Sequence, residues 1–272
     1  MQKQFDIDAA VKTLHIGACE ISMPKIRGAQ NNVFISKSGI DGSEYVYKFN
    51  SAEMVLKNEL VAQMLDARNI PVPRVVAHSA GHQWFEVYPK IPGRTLYECI
   101  GDGMTPDDID GVYADILDLF AQMSKIDWRP IYKMQYSQTY DVAKANVTAV
   151  NNKFKGKLYS AAVKLMNRGS NEAYGLYHCG ITPKNVIIGH DGHIAALVDM
   201  DEVAIANKNY AFGMMAAKYQ QLRGNINTLI DSYEFASGQI LDKKRIHTIS
   251  NITNFGKRLM WLMGRRKQIH QR

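Results

Sequence analysis

Long apolar runs are missing from this 272-residue chain: none approaches the roughly 20 residues needed to span a bilayer. The opening stretch MQKQFDIDAA lacks the basic-then-apolar pattern of a secretory signal, so neither a membrane span nor export is expected. Cysteine is scarce. Cys19, Cys99 and Cys179 leave one thiol over in any disulfide scheme and match no metal-binding spacing, so a reducing cytoplasm is the expected setting. Repeats and low-complexity tracts are also absent, which excludes solenoid and disordered classes. Acid is missing from residues 243–272, which hold nine of the 33 Lys and Arg residues. The rest of the chain has 24 basic against 26 acidic residues, so the formal charge of +7 belongs to the tail.

What is present is ordinary globular composition, 46% hydrophobic and 22% charged, enough for one large domain or two lobes. EISMPKI, VFISKSG and EYVYKF, separated by RGAQNN and IDGS, predict a small antiparallel sheet over residues 20–49. From Ser51 the pattern turns helical, with Met54, Leu60, Met64 and Leu65 on one side, until NIPVPRVV breaks it and opens an extended segment. HQWFEVYPKIPGRTL reads as a strand and a Pro/Gly-rich connector, dividing residues 1–88, an N-terminal lobe, from residues 89–272, a mainly helical lobe. TPDD caps a helix from Pro106 to Ser124, and further helices are predicted near 140–152, 156–168, 208–222, 225–236 and 242–263. Between them GLYHCGI, NVIIG and IAALVD read as short strands.

Several residues are suited to phosphoryl transfer, which needs clamped phosphates, oxygen ligands for a metal and an oriented nucleophile. Lys48 at a strand end can face nucleotide phosphates, and Glu59 on the next helix can position it. Gly28, with Asn31 in the turn RGAQNN, can bring backbone N–H groups to phosphate. Asn185 and Asp199 are hard oxygen donors for Mg²⁺ at the two ends of a hairpin that turns at HDGH, and Asp201, two residues on, can be a second contact.

HCGITPKN and LVDMDE resemble the catalytic and metal loops of the aminoglycoside phosphotransferase and choline kinase superfamily. RGAQNNVF resembles its phosphate loop, YVYKF its lysine strand, NELVAQMLDARNIPVPRVV its glutamate helix and FEVYPKIPGRTL its hinge, so the likeness runs in order from residue 20 to 205. It implies an α+β, two-lobed protein-kinase-like fold, and an ATP- and Mg²⁺-dependent transfer of the γ-phosphate to a hydroxyl of a small molecule. It further implies that Lys48 contacts ATP phosphates with support from Glu59, that Glu86, Val87 and Tyr88 lend backbone to adenine, that Asn185 and Asp199 hold Mg²⁺, and that His178 braces the catalytic loop.

Gly180 stands where the family has its catalytic aspartate, and no acid lies within five residues on either side. On sequence alone the chain is therefore expected to be inactive or very slow. The alternatives are a natural pseudokinase that binds nucleotide as a scaffold, or a kinase acting on a protein. Asp107, Asp108 and Asp110 can attract a cationic acceptor, although first-turn acids also serve the helix dipole. In 242–263, Ile246, Ile249, Ile252, Leu259, Met260 and Met263 share a face. That face packs on the lobe or, with Trp261 and the basic tail through 272, meets an anionic membrane or a lipid-linked acceptor. A nucleic-acid partner is not expected, because the tail's basic residues lack interleaved aromatics.

Overall fold

The computed structural model describes residues 5–13, 19–24, 32–133, 174–223 and 225–254. The helices predicted near 140–152 and 156–168 lie outside them. The chain divides into two compact units. The first comprises Met1–Met104, Arg129–Tyr136 and Pro183–Asp201, and the second Thr105–Trp128, Ser137–Thr182 and Glu202–Arg272.

The first unit is built on an antiparallel sheet of β1 (Cys19–Ser22), β2 (Val33–Ser38), β3 (Glu44–Asn50), β4 (Val76–Ala80) and β5 (Gln83–Pro89), in the order β1-β2-β3-β5-β4. Alternation along the two inner strands explains its layering, since successive side chains leave a strand on opposite faces. Tyr47, Phe49, Phe85 and Val87 join Phe34 in one apolar cluster, which α1 (Ile7–Lys12) covers with Ala10 and Val11. Lys48 and Glu86, between those residues and directly opposite each other in register, are thereby turned to the other face. There α2 (Ala52–Asp66) packs, its start capped by Ser51, whose hydroxyl accepts the Met54 N–H. The buried side of α2 carries Val55, Asn58, Val61, Ala62 and Leu65, whereas the sequence reading placed Met54, Leu60 and Met64 inward beside Leu65. The observed stripe is rotated by about one residue, or roughly 100°.

A second, three-stranded sheet in this unit joins β6 (Arg94–Thr95), β8 (Val186–Ile188) and β9 (Ile194–Leu197). β6 leads into the short α3 (Leu96–Gly101), and α5 (Arg129–Lys133) belongs to the same unit. The HDGH turn closes the β8–β9 hairpin: Gly189 N–H donates to His193 O, and Gly192 takes φ +84°.

The second unit packs α4 (Pro106–Met123), α6 (Lys208–Arg223), α7 (Ile226–Ser237) and a helix over 243–254, which we call α8, with a two-stranded antiparallel ladder of β7 (Tyr174–His178) and β10 (Val203–Asn207). Phe120 stacks on Tyr177 at 4.6 Å and meets Phe212 and Tyr233 edge-on, which ties α4 to the ladder, α6 and α7. Ile246 and Ile249 of α8 are fully buried. That part of the face which sequence offered to a membrane is core, and the tail beyond residue 254 lies outside the described residues.

Gly93, in the Pro-Gly connector, has φ +131°, and a Cβ there would stand 2.3 Å from the Ile188 carbonyl oxygen of β8. Gly111 in α4 has open space at the same distance. In urea unfolding, Gly93→Ala is expected to lower stability by roughly 2–4 kcal/mol through strain and overlap with backbone. Gly111→Ala should leave it unchanged or raise it by up to about 1 kcal/mol. Equal midpoints for Gly93→Ala and the wild type would contradict this account.

Candidate active site

Lys48 is 8% exposed and lies among three carboxylates of the first unit. Its Nζ is 2.5 Å from Asp199 Oδ1, 3.0 Å from Asp201 Oδ2 and 3.7 Å from Glu86 Oε1. Sequence reasoning gave Lys48 a glutamate partner from the helix, Glu59. The structure supplies it from the neighbouring strand, as Glu86, and Glu59 is not among the partners of Lys48. The inward position of α2 is Asn58, fully buried, whose Nδ2 donates to Glu86 Oε2 at 3.0 Å and Asp201 Oδ1 at 2.5 Å. Its Oδ1 is buried without a hydrogen-bond partner among the described residues.

The loop that carries Asp199 and Asp201 is held from both sides. Lys57 Nζ donates to the Met200 and Asp201 carbonyls, and Asn50 Nδ2 to Asp201 Oδ2. Val198 N–H donates to Asn185 O at 2.9 Å, so the hairpin brings Asn185 beside the residue preceding Asp199. Asp199 itself takes φ +72°, a left-handed conformation that costs roughly 1 kcal/mol outside glycine. Both oxygens of Asp201 are occupied by Lys48, Asn50 and Asn58. Asp199 spends Oδ1 on Lys48, and its side chain is 36% exposed. Its Oδ2 has no partner among the described residues.

Electrostatics follow from one ammonium facing three acids. Burial alone would push Lys48 down, but Asp199, Asp201 and Glu86 outweigh it and hold the ammonium well above its usual range. Burial likewise opposes ionisation of Asp201, yet Lys48 and the Asn58 hydrogen bond keep it below the ordinary carboxylate range. Glu86 goes the other way: burial pushes it up to about 7, against the pull of Lys48 and with Asp201 adding to the rise. The ionised Asp199 and Asp201 thus face the Lys48 ammonium, with the Lys57 ammonium on the loop's carbonyls. A hard divalent cation fits the remaining Asp199 oxygen, bound as Mg²⁺ usually is through one or two protein oxygens and substrate phosphates. No group of three or more His, Cys, Asp or Glu among the described residues is arranged to hold a metal by itself.

Of the three residues expected to face adenine, Glu86 and Val87 have ladder partners on both β3 and β4. Tyr88 is the first residue of β5 without one on β4. Tyr88 is paired on β3 alone, and the Glu86 side chain takes the place described above. Gly28 and Asn31 lie outside the described residues.

In the second unit, His178 is fully buried at the end of β7, and its Nδ1 accepts the Gly180 N–H at 3.2 Å. Cys179 is buried. Its N–H donates to Glu202 O at 2.9 Å, extending the β7–β10 ladder by one step beyond the Val203–His178 pair. A Cβ built on Gly180 would lie 2.5 Å from Glu202 Cγ, 2.6 Å from its Cβ and 3.1 Å from its Cδ. The nearest acid to Gly180 in sequence is thus not the one that matters; Glu202, 22 positions away, is its neighbour in space. On α4, Asp108 closes a capping box with Thr105, and Asp110 accepts two hydrogen bonds from Arg223 and one from Tyr219. These two acids serve the fold.

A sheet that buries a lysine against an Asp-x-Asp loop, followed by helices around a two-stranded ladder, defines a kinase-like phosphotransferase fold. Residues 26–227 match the phosphotransferase enzyme family (APH), and the chain belongs to that family. Among solved structures it resembles an aminoglycoside-3'-phosphotransferase of type VIII, at 16% identity and TM-score 0.65 over 93% of this chain and 100% of that one. It also resembles aminoglycoside phosphotransferase APH(3'')-Id from Streptomyces rimosus, at 14% identity and TM-score 0.62 over 91% and 97%. A third is choline kinase LicA from Streptococcus pneumoniae, at 13% identity and TM-score 0.60 over 97% and 92%. No curated protein sequence matches the chain. Among the described residues no helix is long and apolar enough to cross a membrane.

A carboxyl that keeps its proton to higher pH in the folded than in the unfolded chain stabilises the fold at low pH. For Glu86 that stabilisation is complete below about 4.5 and is lost as pH rises through about 7. Relative to Glu86→Gln, the wild type should therefore lose unfolding free energy between these pH values and run parallel above them. Parallel curves throughout would show that Glu86 titrates normally.

Proposed function

We propose that the chain is a cytoplasmic, ATP- and Mg²⁺-dependent phosphotransferase that moves the γ-phosphate to a hydroxyl of a small molecule. The observation that carries this reading is the buried Lys48 ammonium beside Asp199, whose second oxygen is available to a cation. Lys48 would neutralise nucleotide phosphates, and its three acids fix the ammonium in place. Asp199, with Asn185 beside it through the Val198 hydrogen bond, would hold Mg²⁺, which when bound shields phosphate charge during transfer. Asp201 has a positioning role: it orients Lys48, Asn50 and Asn58. The Tyr88 backbone would receive the base. The likeness to aminoglycoside phosphotransferases solved as GDP complexes supports nucleotide use, and the likeness to an aminoglycoside phosphotransferase and a choline kinase supports a small hydroxyl acceptor.

Gly180 favours a second reading, a nucleotide-binding pseudokinase that acts through a partner. Transfer of label from γ-labelled ATP to aminoglycosides, choline, macrolides and water separates the two. The first reading predicts Mg²⁺-dependent transfer that falls at least about 10²-fold in Asp199→Asn. Absence of transfer, both by the wild type and by a chain with Gly180→Asp and Glu202→Gly combined, would overturn it and leave the scaffold reading.

A further inference from the structure

We propose that Glu202 supplies the carboxylate that position 180 lacks, and that it is the catalytic residue that receives the proton of the acceptor hydroxyl. The proposal rests on the phosphotransferase reading above. Three observations on the second unit carry it. The ladder fixes Glu202 beside the loop, because β7 and β10 pair through Val203 and His178, and Cys179 N–H then binds Glu202 O at 2.9 Å. The side chain of Glu202 next runs through the volume where a side chain at 180 would begin. Its carboxyl carbon lies 3.1 Å from the point a Cβ would occupy, against about 1.5 Å for an aspartate's own carboxyl carbon. Glutamate is one methylene longer than aspartate, which makes up part of the offset of a neighbouring strand. Finally, Glu202 is an exposed residue.

Glycine at 180 and glutamate at 202 are mutually dependent. With Glu202 Cβ and Cγ only 2.6 and 2.5 Å from the virtual Cβ, an aspartate at 180 and the present Glu202 cannot both be accommodated. Cγ can turn away about the Cα–Cβ bond, but Cβ cannot move without moving backbone. His178 holds the loop in this form through its bond from Gly180 N–H.

In the step itself, the acceptor oxygen forms a bond to the γ-phosphorus of ATP while the bond from that phosphorus to the β–γ bridging oxygen breaks. The bridging oxygen leaves with its electron pair on ADP, and the hydroxyl proton passes to a carboxylate oxygen of Glu202. A base so placed contributes roughly 10²–10⁴ in rate.

Steady-state kinetics of the wild type, Glu202→Gln and the double variant Gly180→Asp/Glu202→Gly test the exchange, with label transfer to the best acceptor of the panel, or to water where none responds. Glu202→Gln keeps the shape of an exposed side chain, and thermal melts confirm that both variants fold. The expected result is a 10²–10⁴-fold fall in kcat for Glu202→Gln with KM for ATP unchanged, and recovery to within about tenfold of wild type in the double variant. A merely space-filling glutamate would leave kcat of Glu202→Gln at the wild-type value, which overturns the proposal. So would a wild type that is silent while the double variant turns over, or a double variant no faster than Glu202→Gln. Each of these leaves the phosphotransferase reading intact. Failure of every form to transfer phosphate overturns that reading and the proposal with it.

Discussion

One buried ammonium organises the first unit. Lys48 sits mid-strand on the face that α2 covers, and a charge there is stable only because Asp199, Asp201 and Glu86 surround it. Removing such a charge from water costs several kcal/mol, which close carboxylates and further hydrogen bonds offset. The pairing links residues 151 positions apart in the chain, so the loop after β9 is held to β3 by electrostatics as much as by packing. Lys57, Asn50 and Asn58 complete the hold through Asp201 and its neighbours. Asp199 is left in a left-handed conformation with one oxygen unpartnered among the described residues.

Three acids gather on the Lys48 ammonium, with the Lys57 ammonium on the carbonyls of the same loop. Burial raises Glu86 until it is near half-protonated around neutral pH. The ionised Asp199 and Asp201 carboxylates are the groups that attract a divalent cation, whereas the phosphates of an anionic nucleotide would be drawn by the ammonium.

Much of this was legible in the sequence because it is local. Alternation marked β2, β3 and β5, Thr105 and the acids after it marked α4, and the hairpin around HDGH marked the two ends that carry Asn185 and Asp199. What escaped was phase and non-local pairing. Met54, Leu60 and Met64 drew the apolar stripe of α2 one residue off, and that exchanged Glu59 for Asn58 as the inward residue. Val55, Val61, Ala62 and Leu65 around Asn58 were the signal for the correct phase. Glu86, a lone acid between Phe85 and Val87, shares its strand face with Lys48 once the register is known, but register is not written in either strand alone. Glu202 was further out of reach, since only the pairing of β7 with β10 brings it to Gly180.

The most direct test of the central claim is calorimetric titration of the full chain with ATP, with and without Mg²⁺. Saturable one-site binding that weakens on removal of Mg²⁺, and again in Asp199→Asn, is the result this account predicts. Absence of binding heat across temperatures, with no shift in melting temperature by Mg-ATP, would contradict it.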